Sequence, residues 1–87
     1  MSTEPLLLVV DDEAGILRLM KLELSAQGFR VITASDGEQG VKLAEEQRPD
    51  AVLLDVMMPG LSGLEVMRRL RERSNVPVLL VTAKDKD

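Results

Sequence analysis

The apolar positions change period repeatedly along the chain. Leu6-Leu7-Leu8-Val9-Val10 is continuous rather than alternating, which is the pattern of a strand buried on both faces. From Glu13 to Gln27 the spacing turns helical, with Ile16, Leu17, Met20 and Leu24 on one stripe and Gly28 placed to end the helix. Phe29, Val31 and Thr33 then alternate with Arg30, Ile32 and Ala34, predicting a less buried strand at a sheet edge. A second helix fits 37–46, opened by the capping-box spacing of Ser35 and Glu38 and closed before Pro49. Ala51-Val52-Leu53-Leu54 is another continuous apolar run. Ser62 and Glu65 repeat the capping-box spacing ahead of a helix that runs to about Arg73, and Pro77 to Thr82 reads as a fourth strand.

The resulting order is β-α-β-α-β-α-β. Strands alternating with helices of this length pair in parallel through right-handed crossovers, with helices on the sheet faces. No internal repeat, low-complexity tract or linker interrupts residues 1–87. The pattern predicts one α/β domain with a parallel sheet, for which the flavodoxin-like order 2-1-3-4 is taken.

Composition narrows the chemistry. With no Cys and no His, thiol catalysis, disulfides, His-based zinc sites and imidazole acid–base chemistry are excluded. A net charge of −4 and a single aromatic, Phe29, argue against nucleic-acid binding, which wants phosphate-neutralising cations and stacking surfaces. The run Leu6 to Val10 is flanked by acids and is far short of the roughly 20 apolar residues of a membrane span, nor does it have a signal peptide's basic start. A cytoplasmic chain is expected.

In open parallel sheets ligands bind beyond the carboxyl ends of the strands, where the strand order reverses. Those ends are Asp11-Asp12 after the first strand, Ser35-Asp36 after the second, Asp55 after the third and Thr82 after the fourth. In the order 2-1-3-4 the first and third strands are neighbours, so Asp11, Asp12 and Asp55 converge, with the Thr82 hydroxyl on the adjacent strand. Two carboxylates about 4 Å apart repel by roughly 4 kcal/mol at an effective dielectric near 20. A divalent cation removes that cost, and hard oxygen ligands with room for water select Mg²⁺. A metal beside a spare carboxylate also suits phosphoryl chemistry, the carboxylate attacking phosphorus while the metal neutralises the equatorial oxygens.

Each piece also has a plain structural reading. An Asp at a strand end is commonly a turn or cap residue, and Asp12 or Glu13 could simply cap the first helix. Thr82 is ordinary in a strand. Asp55 is harder to explain so, because a carboxylate between an apolar strand and two Met gains nothing structurally. The basic run Arg68 to Arg73 reads as a solvated helix end complementing the dipole, and Gly60-Leu61-Ser62-Gly63 lacks the spacing of a phosphate loop.

Taken together, Val9-Val10-Asp11-Asp12-Glu13, the stretch Pro49 to Gly63 around Asp55, and Val76 to Ala83 resemble the receiver domain of two-component response regulators. The resemblance covers residues 5–87. It implies that Asp55 is the phosphoacceptor, taking a phosphoryl group from a phosphohistidine on a sensor histidine kinase. It implies that Asp12 binds Mg²⁺ directly, Asp11 mainly through water, and that the backbone carbonyl of Met57 completes the protein ligands. Thr82 is similar to the switch hydroxyl that turns toward the phosphoryl group. A receiver is an acceptor module and not a turnover enzyme.

Family members continue with a further helix, strand and helix, and that strand ends in a Lys that pairs with the phosphoryl group. Lys84 and Lys86 do not match it in position. Measured against the family, the chain is expected to be an incomplete receiver whose fourth strand forms an apolar edge and whose sheet face beside the first helix is uncovered, surfaces that invite self-association. Acceptance of phosphate at Asp55 is expected to suffer less than the conformational output. Two other readings compete: a receiver-like fragment that takes no phosphate and serves as a binding module, and an Asp-nucleophile phosphatase of the haloacid-dehalogenase type. The latter wants a second Asp two residues after the nucleophile, where Met57 stands.

Overall fold

The computed structural model describes residues 4–56, 58, 60 and 62–81. Four strands and three helices follow in strict alternation: β1 (Leu6–Val10), α1 (Ala14–Ala26), β2 (Arg30–Ala34), α2 (Gly37–Gln47), β3 (Ala51–Asp55), α3 (Gly63–Arg73) and β4 (Val78–Val81). The sheet is parallel throughout in the order β2-β1-β3-β4. β2 is thus an edge, as its alternating pattern predicts, and the unbroken apolar run of β1 is buried at every position.

Side-chain parity divides the sheet into two unequal faces. Leu8 and Val10 of β1, Ala34 of β2, and Val52 and Leu54 of β3 point to one face, where they pack with Val66 and Leu70 of α3, Met58 and Val76. Val41, Leu43 and Ala44 of α2 add half-buried surface to this core. The opposite face is covered by α1, whose predicted stripe Ile16, Leu17, Met20 and Leu24 is half-buried, while no residue of the helix is fully buried. Leu79 of β4, on the same face as Leu53 by register, stays 54% exposed. This face is the less covered of the two, as expected.

The helix ends follow local rules, with one shift. At the end of α1, Gly28 adopts φ +99°; its N–H donates to Ser25 and that of Phe29 to Leu24, a doubled closure that a residue with a Cβ resists. At α3 the Ser62 hydroxyl accepts from the Glu65 N–H, as predicted. At α2 the box lies one residue later than Ser35 and Glu38: Asp36 is the cap and accepts from the Gln39 N–H, while Gln39 Oε1 accepts from the Ser35 N–H. The reason is that β2 runs to Ala34, which pairs with Val10, so Asp36 and not Ser35 is the extended residue at which α2 opens. The basic run of α3 is balanced by acids: Arg68 pairs with Glu65 and Glu72, Arg69 with Glu65, and Arg73 with Glu45 of α2. Hydrogen bonds from Arg68 and Arg69 hold the Glu65 carboxyl below its ordinary range.

At the amino-terminal end of the sheet Asp50 makes a reciprocal link to β1. Its carboxylate accepts from the Leu6 N–H at 2.7 Å, and its own N–H donates to the Leu6 carbonyl at 2.7 Å. The Asp50→Ala variant should lose about 1–2 kcal/mol of stability, since a charged acceptor is removed from a partly buried donor. Urea unfolding followed by far-ultraviolet circular dichroism, the practical probe for a chain whose one aromatic is Phe29, checks this.

Candidate functional site

Three carboxylates meet at the carboxyl ends of the two central strands. Asp11 follows β1 directly, Asp12 comes next, and Asp55 is the last residue of β3. One carboxylate oxygen from each lies within 4.8 Å of the other two. The topology accounts for this. The chain leaves β1 outward to β2 and returns across it to β3, so the strand order reverses between β1 and β3 and a crevice opens above their ends.

Both buried members are held by the backbone. The Asp11 N–H donates to the Ala34 carbonyl at 3.1 Å, which extends the β1–β2 ladder by one bond past the strand. The Asp11 carboxylate accepts from the Glu13 N–H at 2.9 Å, so it serves the start of α1 as well as facing the cluster. Glu13, at the cap position, makes no side-chain cap bond. On the other strand Asp55 is level with Val81 of β4, and the following Val56 N–H donates to the Val81 carbonyl at 3.2 Å.

Burial separates the three. Asp55 is 0% exposed and Asp11 2%, whereas Asp12 is open to solvent. Like charges in this arrangement repel, by about 3 kcal/mol for a pair near 5 Å at an effective dielectric near 20. The donor set is all hard oxygen, two members are shielded from water, and the exposed member leaves a side open for solvent ligands. That donor set could hold a hard divalent cation and is unlike a thiolate or imidazole site.

The remaining predicted residues divide into two groups. Ser35 and Asp36, at the end of β2, are engaged in starting α2 and take no part in the cluster. Met57 and Thr82, expected as a carbonyl ligand and a switch hydroxyl, lie outside the described residues, as do Lys84 and Lys86. Met58 is buried in the core three residues after Asp55. The contact that was not legible is that of Gly63, which at the start of α3 lies against the Asp55–Val56 peptide. A glycine opening a helix, where Ala is the better helix former, was the available signal.

Comparison with known proteins agrees with this geometry. The family model for the response regulator receiver domain matches residues 7–87, and the chain belongs to that family. It is 48% identical over 83 residues to the transcriptional regulatory protein AfsQ1 of Streptomyces coelicolor, a match over 95% of this chain and 37% of that protein. The chain therefore spans little more than a third of that relative's length. Among solved structures it resembles the Vibrio cholerae chemotaxis protein CheY4, with a TM-score of 0.90 at 30% identity over 97% of this chain and 72% of the other. It also matches a chain in the complex of histidine kinase ThkA with response regulator protein TrrA, at 40% identity and a TM-score of 0.86 over 94% of this chain and 72% of that one. Membership of the receiver family removes the haloacid-dehalogenase reading.

If the cluster holds a divalent cation, Mg²⁺ should raise the folding stability by on the order of 1–3 kcal/mol at ten to a hundred times its dissociation constant. Asp12→Asn should raise the stability of the metal-free protein by relieving repulsion and should shrink the Mg²⁺-dependent gain. Thermal unfolding with and without Mg²⁺, for both proteins, checks both signs.

Proposed function

We propose that the chain is a phosphoacceptor module of two-component signalling, in which Asp55 takes a phosphoryl group from a histidine kinase with the help of Mg²⁺. The observation that carries this reading is a fully buried carboxylate at the end of β3, within 4.8 Å of two others, in a receiver-family chain. The kinase partner is supported by the solved complex of a histidine kinase with a response regulator that this chain resembles.

The chemistry follows from the acids. A carboxylate oxygen of Asp55 attacks phosphorus, and a P–O bond forms as the P–N bond to the donor imidazole breaks. The electron pair of that bond leaves with the imidazole nitrogen. Asp11, Asp12 and Asp55 are the residues that would hold a divalent cation, which would supply charge neutralisation for the transferring oxygens. Asp11, pinned by the Glu13 N–H, keeps its second oxygen's direction defined without a search over rotamers. Asp12, open to solvent, marks the side from which the donor approaches. In this reading Thr82 and the Met57 carbonyl have the parts that the family resemblance implies. The product is a modified protein and not a released small molecule, so the chain is no turnover enzyme. No helix among the described residues is long and apolar enough to cross a membrane, and we assign the domain's work to the cytoplasm, where its donor would act.

A second reading, a protein-binding module working through self-association, is favoured by β4. This strand is the outer one of the described sheet, and Leu79 and Leu80 are 54% and 40% exposed on its two faces. An outer strand with exposed apolar side chains is a template for pairing with a second copy.

Incubation with acetyl phosphate and Mg²⁺ should add one phosphoryl group by intact-mass measurement. Asp55→Asn and chelation of the metal should each abolish it; unchanged labelling in Asp55→Asn would overturn the assignment. Sedimentation velocity should give a concentration-dependent dimer that Leu79→Lys returns to monomer, and a monomer at all micromolar concentrations removes the second reading.

A further inference from the structure

We propose that Gly63 is a positioning residue for Asp55, required because α3 enters with its first turn pressed against the peptide that follows the acceptor. The inference rests on the reading of Asp55 as phosphoacceptor and assigns the residue that sets where its backbone lies. A Cβ built on Gly63 would stand 2.6 Å from Val56 Cα, 3.0 Å from the Asp55 carbonyl oxygen and 3.2 Å from Val56 Cγ1. The first two are backbone atoms, which cannot rotate away as a side-chain tip can. Conformation is not what calls for glycine here. The described glycines with positive φ are Gly28 and Gly60, and Gly63 sits in ordinary helical backbone as the first residue of α3. What the position lacks is room.

Neither partner can give way cheaply. α3 is anchored one turn further on by Val66 and two turns on by Leu70, both in the core, and its first turn is fixed by the Ser62 cap on Glu65. On the other side the Val56 N–H is tied to Val81 of β4. Carbon atoms settle at about 3.5–4.0 Å, so a methyl group at 63 demands a movement of roughly 1 Å. Because the Asp55 carbonyl is itself one of the contacts, that movement passes into the residue whose carboxylate must meet Asp11 and Asp12. A misplacement of about 1 Å at a reacting group can cost on the order of a hundredfold in rate.

The test compares three variants with the wild type: Gly63→Ala, Ser62→Ala, which loosens the start of α3, and Leu70→Ala, which loosens the same helix two turns away from the site. For each, folded fraction comes from urea unfolding, Mg²⁺ affinity from amide shifts in a two-dimensional NMR titration, and Asp55 labelling rate from acetyl phosphate with Mg²⁺ by intact mass. Corrected for folded fraction, Gly63→Ala should label about 10- to 100-fold more slowly, with Mg²⁺ affinity weakened and the largest metal-free shift changes at Asp55 and Val56. Leu70→Ala, of equal or greater instability, should stay near wild type in both. Should Gly63→Ala not fold, the pair Ser62→Ala and Leu70→Ala decides: a slower rate in the former alone supports the proposal, and equal rates overturn it. Wild-type labelling and Mg²⁺ affinity in a folded Gly63→Ala also overturn it. If the wild type takes no phosphoryl group, the acceptor reading fails by itself, and Mg²⁺ affinity and the Asp55–Val56 shifts still test the positioning.

Discussion

Asp11 and Asp55 are carboxylates closed off from water and set side by side at the ends of two paired strands. One follows a strand buried at every position, the other ends the strand hydrogen-bonded to it. Where both are ionised they repel, more than a pair on an open surface would. A cation bound between them would offset that repulsion where it arises. The apolar packing of Leu8, Val10, Val52 and Leu54 beneath is what holds the acids at their separation.

The two faces of the sheet meet this demand unequally. On one, α2 and α3 close a dense core that includes Met58 next to the site. On the other, α1 lies on β1 and β2 with no fully buried residue, and Leu19 and Leu22 point outward. Among the described residues the denser apolar contact is on the α2–α3 side. Asp11 belongs to both: its carboxylate faces the cluster and also receives the N–H that begins α1. A change in charge at the cluster thus bears directly on the start of α1.

Much of this was legible along the chain. The uninterrupted run Leu6 to Val10 reads as a doubly covered strand, and in the strand order 2-1-3-4 the meeting of Asp11, Asp12 and Asp55 follows without any coordinate. What escaped reading were choices that local chemistry leaves equal or that distant chain decides. Ser35-Asp36-Gly37-Glu38-Gln39 contains two overlapping capping boxes, and only the point where β2 ends selects Asp36 with Gln39. The link from Asp50 to Leu6 leaves no local signal, since the two are 44 positions apart. Gly63, within Ser-Gly-Leu-Glu, reads as part of a cap until the helix is seen against the Asp55–Val56 peptide.

The link between Asp50 and Leu6 acts as an index mark for the sheet. Parallel strands of plain Val and Leu offer several alignments of similar contact, and a two-residue slip of β3 along β1 keeps every side chain on its own face. Such a slip would carry Asp55 about 6.6 Å along the strand axis, further than the whole span of the acidic cluster. One carboxylate closing on one backbone N–H at the far end of the sheet makes that misalignment distinguishable from the native one. The spacing of charges at one end is thereby encoded by an unremarkable aspartate at the other, and a mutation there would be read as a defect in chemistry some strand-length away.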